Sequence, residues 1–463
     1  MLLNSLFFIF AFLPIVLLVY YLVPERARNL VLLVANLIFY AWGDPNYFVL
    51  LIFLTIFHFI MGRELTKEQD DKKKQKHDLI FAIAIDVFLL CFFKYFTPFA
   101  GVVQGVFQSN TALRDLILPI GLSFYTFKNM SYLFDIYYEK TDAEDNFVDF
   151  AVYAAFFPAM TAGPIVRYVD IKDSLKERKV NFVQLGYGSR RFILGLAKKA
   201  LVADTLAALY AEICAKPDEM SMITAWIGMF AFTMQIYFDF SGYSDMAIGM
   251  GKMLGFDMKE NFDHPYTSKS IGEFWRRWHI SLGSWFRDYV YIPLGGNRVS
   301  VKRHIINLAV VWCLTGMWHG ATLNFPVWGL YYGVLLVLEK YYLNAVLEKL
   351  PSIVSHIYTM FFVMVGWMIF ANESLAAAGS YILKLFGIGA SSFIDTASLY
   401  YLKTNFVIFV ICIIASGPNL HKMVNKLLRC SVVRSVVFYG ILLLIGTACL
   451  VYGSYHPFLY LRF

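Results

Sequence analysis

Charge is scarce in this chain. Of 463 residues, 16% are Asp, Glu, Lys or Arg, against 59% hydrophobic and 18% aromatic. A soluble globular domain carries about 25% charged and roughly 45–50% apolar residues, so this composition excludes one. Cysteine is sparse as well. Cys91, Cys214, Cys313, Cys412, Cys430 and Cys449 lie mostly inside apolar runs, with no CxxC pair, which argues against a disulfide framework and a zinc ribbon. No HxxxH or HxxE spacing occurs among the nine histidines, so no metal site is expected. There is no GxSxG elbow and no P-loop. No soluble module offers a basic face, so the net charge of +7 points to basic cytoplasmic loops and a membrane, not to nucleic acid.

What is abundant comes in blocks. Residues 2–23 contain no Asp, Glu, Lys, Arg or His, and about 20 such residues span a bilayer core. The block lacks the basic n-region and small-x-small cleavage site of a signal peptide, so it reads as a first span. Further spans are expected at 30–42, 47–61, 79–99, 116–137, 192–211, 222–247, 353–370, 406–415 and 436–452. Three basic stretches lie between blocks: Arg63 to Lys76, Arg167 to Arg191, and Lys422 to Arg434, the last without an acid. The positive-inside rule puts all three in the cytoplasm. Counting spans back from the first places the N-terminus outside a multi-pass cell-membrane protein.

Two regions depart from simple spans. Residues 150–166 must dip and return or lie flat, because inside loops flank them. Their centre, PAMTAGP (158–164), breaks helices, and irregular backbone at membrane depth needs protein or a water-filled cavity around it. Residues 270–293 mix Glu273, Arg276, Arg277, Arg287 and Asp288 with many aromatics, which predicts an amphipathic helix at the cytoplasmic interface. The apolar run from Arg303 to Leu338 is too long for one span and should fold back at 320–324. The expected fold is all-α, one domain over 1–463 with about 10–12 membrane helices plus re-entrant and interfacial pieces.

His319 lies 16 residues beyond Arg303, about 24 Å of helical rise. An ionisable group that deep is a functional candidate, competing with a plain helix-packing histidine. Gly316 and Gly320 beside it permit close backbone approach, and Trp318 can wall a pocket. A neutral imidazole can take a proton from a hydroxyl. His279 is the second candidate, within FWRRWHIS (274–281), where an interfacial histidine among Trp275 and Trp278 is the bland alternative. Arg276, Arg277 and Arg287 suit either lipid headgroups or the phosphates of a cytosolic donor. Asp239, Ser241, Tyr243 and Asp245 in YFDFSGYSD (237–245) suggest cavity lining or a helix ending in a polar loop. Asp239 and Asp245 face different sides of a helix, which argues against a glycosidase pair.

Residues 274–298 (FWRRWHISLGSWFRDYVYIPLGGNR) and 314–329 (LTGMWHGATLNFPVWG) resemble the signature blocks of bacterial membrane-bound O-acyltransferases. Blocks at 118–127, 156–167, 237–245 and 457–463 (PFLYLRF) match as well, in order along the chain. The resemblance implies a catalytic role for His319, a second important histidine at His279, and a tunnel joining donor and acceptor sides. Trp318, Asn324, Asp288 and the aromatic and charged residues above then become candidate substrate contacts. It also implies acetyl transfer from acetyl-CoA, used as a substrate with no resident cofactor. The acceptor would be an extracytoplasmic polysaccharide, with a separate esterase-like partner outside. YIPLGGNR (291–298) favours the branch similar to alginate O-acetyltransferase subunits over D-alanyl transfer to teichoic acids. A transporter or flippase is the alternative from another class; the Trp-His-Gly block and the lack of inverted repeats argue against it.

Overall fold

The computed structural model describes residues 1–107, 118–178, 180–429, 431–453 and 458–459. The block 457–463 is therefore outside the described residues except for Phe458 and Leu459, and so is Cys430. All regular structure among the described residues is helical. In chain order the helices are α1 (Leu13–Leu22), α2 (Arg28–Gly43), α3 (Phe48–Lys67), α4 (Lys72–Phe107), α5 (Leu122–Tyr137), α6 (Phe147–Ala154), α7 (Phe157–Met160) and α8 (Tyr168–Lys176). Next come α9 (Phe182–Ala197), α10 (Asp204–Cys214), α11 (Met222–Met253), α12 (Ile271–Arg277), α13 (Ile280–Phe286), α14 (Val301–His319), α15 (Asn324–Leu338) and α16 (Asn344–Leu347). The last five are α17 (Ser352–Ala371), α18 (Leu375–Lys384), α19 (Thr396–Ala415), α20 (Pro418–Arg429) and α21 (Val432–Tyr452).

Five of these stretches are long and apolar enough to cross a membrane: Pro45–Lys67, Lys72–Thr97, Ser352–Ala371, Thr396–Ala415 and Val432–Tyr452. Their surfaces carry the sign of lipid exposure. Val49, Phe53 and Ile60 on α3 point outward, as do Phe81 and Phe88 on α4, a contiguous apolar surface that water would not tolerate. The chain is a polytopic membrane protein. At 32 residues, α11 would extend about 48 Å at 1.5 Å per residue.

The chain packs as two compact units, one of residues 1–192 and 243–259, the other of residues 193–242 and 260–459. The first buries polar groups among its apolar core. Helix α5 buries Ser123, Thr126, Lys128, Asn129, Ser131 and Asp135. The Lys128 ammonium donates to the Tyr153 carbonyl at 2.7 Å. His58 and Asp86, both fully buried, join α3 to α4 at 2.9 Å. The stretch at 158–164, expected to break helices throughout, begins inside α7, which takes in Pro158 to Met160, and turns irregular only from Thr161; neither α6 nor α7 is long enough to span, and the residues of the stretch are buried.

In the second unit, the run from Arg303 to Leu338 folds back as expected. α14 ends at His319 and α15 starts at Asn324. Glycines make this crossing possible: a Cβ on Gly329 would stand 2.1 Å from the Trp312 carbonyl oxygen, and one on Gly316 2.2 Å from that of Phe325. Small residues let membrane helices approach backbone to backbone. Asn324 fixes the return by donating to the Asn372 carbonyl at 2.7 Å, which ties α15 to the end of α17.

Candidate functional site

The interfacial segment is not the single amphipathic helix its composition predicts. It is a seven-residue helix, α12, and a second, α13, that runs on through a π-helical turn to Tyr291, broken at Trp278–His279, with Phe274, Trp278, His279, Leu282, Trp285 and Phe286 buried. The periodic pattern across 270–293 hides the break because His279 itself makes it. Its φ is +44°, a left-handed conformation uncommon for any residue but glycine.

Two buried polar groups hold this bent segment. Glu339, just after α15, accepts the N–H groups of Ile271 and Gly272 at 2.6 and 2.9 Å. It thereby caps α12 with a carboxylate, the charge a helix start favours. Ser270 adds the usual side-chain cap, accepting from the Glu273 N–H at 3.0 Å. At the break, the Asn261 carbonyl accepts the Ile280 N–H at 3.0 Å. Its side-chain oxygen accepts the Ser281 N–H at 3.2 Å and the Ser281 hydroxyl at 2.8 Å.

His279 is 2% exposed and His319 3%. Both line one cavity of about 460 Å³, with Trp275, Arg276, Trp278, Arg287, Tyr291, Trp312 and Thr315 among the other lining residues. The His319 ring meets Trp328 edge to face at 5.0 Å and Phe370 at 5.3 Å. The His279 ring stands against Phe240 at 4.7 Å. The Trp275 ring packs on Trp312 and on Tyr332, both at 4.8 Å. Burial among these rings lowers the His279 pKa well below the usual imidazole value, since the charged form loses its solvation. The ring is held neutral.

The other candidates divide. Trp275, Trp278, Arg276 and Arg287 line the cavity, and the two arginines are exposed, which marks where it opens. Arg287 also pairs with Asp288 at 2.7 Å. Arg277 is not in the lining; it pairs with Glu273 at 2.8 Å. Trp318 stands beside the site, 6.2 Å from His279 and 4.8 Å from His319 by ring centroids. Asn324 serves the hairpin described above.

The YFDFSGYSD cluster does not contribute to this lining. Asp239 is buried, accepting from Lys199 at 2.7 Å and from the Leu459 N–H at 2.8 Å, while Ser241 accepts from Lys198 at 3.5 Å. In the first unit, Tyr243 bonds Thr161 and Asp245 pairs with Arg191 at 2.7 Å. Each acid is paired with a cation from an earlier segment of the chain. Sequence reasoning overlooked Asn261, Glu339, and His304, which is bonded to Tyr291 and Tyr341 at 2.8 Å each. Each stands in ordinary loop or helix-end sequence, and only folding reveals its partner.

The family model for membrane-bound O-acyltransferases matches residues 143–378, an interval that contains the whole cavity lining. A probable alginate O-acetylase of Pseudomonas aeruginosa is 40% identical over 393 residues, covering 84% of this chain and 75% of that protein. A peptidoglycan O-acetyltransferase of Helicobacter pylori is 32% identical, covering 85% and 81%. A teichoic acid D-alanyltransferase of Bacillus subtilis is 28% identical, covering 58% and 72%. With that match over the segment that builds the two-histidine cavity, the chain belongs to the membrane-bound O-acyltransferase family and is a membrane O-acyltransferase.

Proposed function

We propose that this chain takes an acetyl group from cytosolic acetyl-CoA for O-acylation of an extracytoplasmic polysaccharide, with His319 as general base. The observation that carries this reading is the single cavity in which His279 and His319 share a wall with Arg276 and Arg287. The acceptor hydroxyl oxygen attacks the thioester carbonyl while His319 takes its proton. The tetrahedral intermediate then collapses, the C–S bond breaks, and the departing thiolate receives that proton. Aromatic walls exclude the water that would otherwise hydrolyse the thioester. The donor's nucleotide is too polar to enter hydrocarbon, so it stays at the mouth beside the arginines, and only the thioester arm reaches inward. The resemblance to alginate and peptidoglycan acetylating relatives supports the acceptor class. The attacking hydroxyl belongs either to the polymer itself or to a carrier group on a separate extracytoplasmic partner, which then passes the acetyl to a polymer hydroxyl and regains its own; a tunnel joins the two sides.

Membrane vesicles supplied with radiolabelled acetyl-CoA and the producing cell's surface polymer should form labelled O-acetyl ester. No acetyl ester, but D-alanyl ester from a D-alanyl carrier protein, would replace the donor and keep the family.

The orientation has its own test. Cysteines introduced at Gln69 and Gly296 should resist impermeant thiol reagents added to intact cells, in a background stripped of native cysteines. One at Asn46 should react. Labelling of the Gly296 position from outside would move the donor side to the other face.

A further inference from the structure

Nothing in the proposed reaction requires Asn261, yet it is fully buried and bonded to His279 and to the two residues that follow it. Its side chain can be oriented without ambiguity. The atom that meets the Ser281 backbone N–H at 3.2 Å must be the amide oxygen, because a backbone N–H can only donate. That same oxygen lies 3.1 Å from His279 Nδ1. An amide oxygen only accepts, so Nδ1 carries the hydrogen. In a neutral imidazole the lone pair then belongs to Nε2. The left-handed turn at His279 and the two N–H bonds to Asn261 fix the ring's place, and the third bond fixes its tautomer.

We infer that Asn261 is a positioning residue for acyl transfer, holding neutral His279 in the Nδ1–H form so that Nε2 keeps its lone pair as a hydrogen-bond acceptor in the cavity that also holds the His319 base. The inference rests on the proposed reaction and adds a residue outside the cavity lining. An amide suits the task better than a carboxylate. It takes the Nδ1 hydrogen without a negative charge that would stabilise the imidazolium and retain a second proton.

This makes Asn261→Asp informative. The carboxylate keeps the geometry and adds the charge. An opposite charge within about 4–6 Å raises a histidine's pKa by roughly 1–3 units. The acid limb of the pH–rate profile for transfer from labelled acetyl-CoA should therefore move up by about one unit or more, with activity recovering once the pH exceeds the raised value. A purely structural role would leave the profile's shape unchanged. The second arm is a cycle with His279→Ala. Asn261→Ala should lower the rate in the native background and change it less than about twofold when His279 is already alanine.

An Asn261→Asp profile that overlays the native one overturns the inference, as does a folded Asn261→Asp protein that stays inactive at alkaline pH. An equal loss from Asn261→Ala in both backgrounds overturns it too. If His279→Ala alone transfers at the native rate, it is the role of His279 in the reaction that fails.

Discussion

Replacing His319 with alanine should reduce acyl transfer by roughly 10²- to 10⁴-fold, the range in which a positioned general base contributes. The fold should survive. His319 is the last residue of α14, and the hairpin is held by the glycine crossing at Gly316 and Gly329 and by the Asn324 bond to α17, none of which needs the imidazole. Its ring does fill space against Trp328 and Phe370, so His319→Gln provides a shape-preserving comparison that still lacks a base of suitable pKa. Both variants should insert and elute from detergent like the native protein while failing to form O-acyl ester. Native turnover in either would remove His319 from the chemistry. A loss confined to the alanine variant would make it a packing residue.

His319 was legible in the sequence because depth in an apolar run is a one-dimensional property. Counting from Arg303 locates it, and the length of the run forces the turn that the structure places between α14 and α15. His279 was harder. Aromatic and basic residues around it fit an interfacial helix equally well, and the left-handed break and the bond to Asn261 that accompany its burial in the cavity lining have no counterpart in that pattern. The Asp239 and Asp245 cluster misled for the opposite reason. Two acids in an apolar helix look like cavity lining until their cations are known, and Lys199 and Arg191 sit on an earlier part of the chain. Asn261 and Glu339 were invisible because a helix cap delivered from a distant segment leaves no mark near the helix it serves. The number of spans follows hydropathy less well than their existence does, because helices such as α11 mix acids, hydroxyls and small residues and are buried largely in protein.

Neutralising Arg276 and Arg287 together should raise the apparent KM for acetyl-CoA by about ten- to a hundredfold while changing kcat little. Both guanidinium groups belong to the cavity lining and both are exposed, where a donor's phosphates can meet them from water. A charge-assisted hydrogen bond contributes about 1.5–3 kcal/mol, and its loss in ground state and transition state alike appears in KM. Arg287 already has Asp288 at 2.7 Å and Arg276 acts on the Glu339 carboxylate, which lessens the pull of each on an anion, so either Arg276→Gln or Arg287→Gln alone should give a smaller effect than the double variant. Arg277 was an equal candidate from sequence, but its bond to Glu273 and its place outside the lining predict a smaller change in KM for Arg277→Gln. The native KM should also rise with ionic strength, as an exposed phosphate contact requires, and the double variant should lose most of that salt dependence. Initial rates at several salt concentrations measure both. An unchanged KM with a collapsed kcat would instead make these arginines supports of the α12–α13 segment, leaving donor recognition to other residues of the mouth.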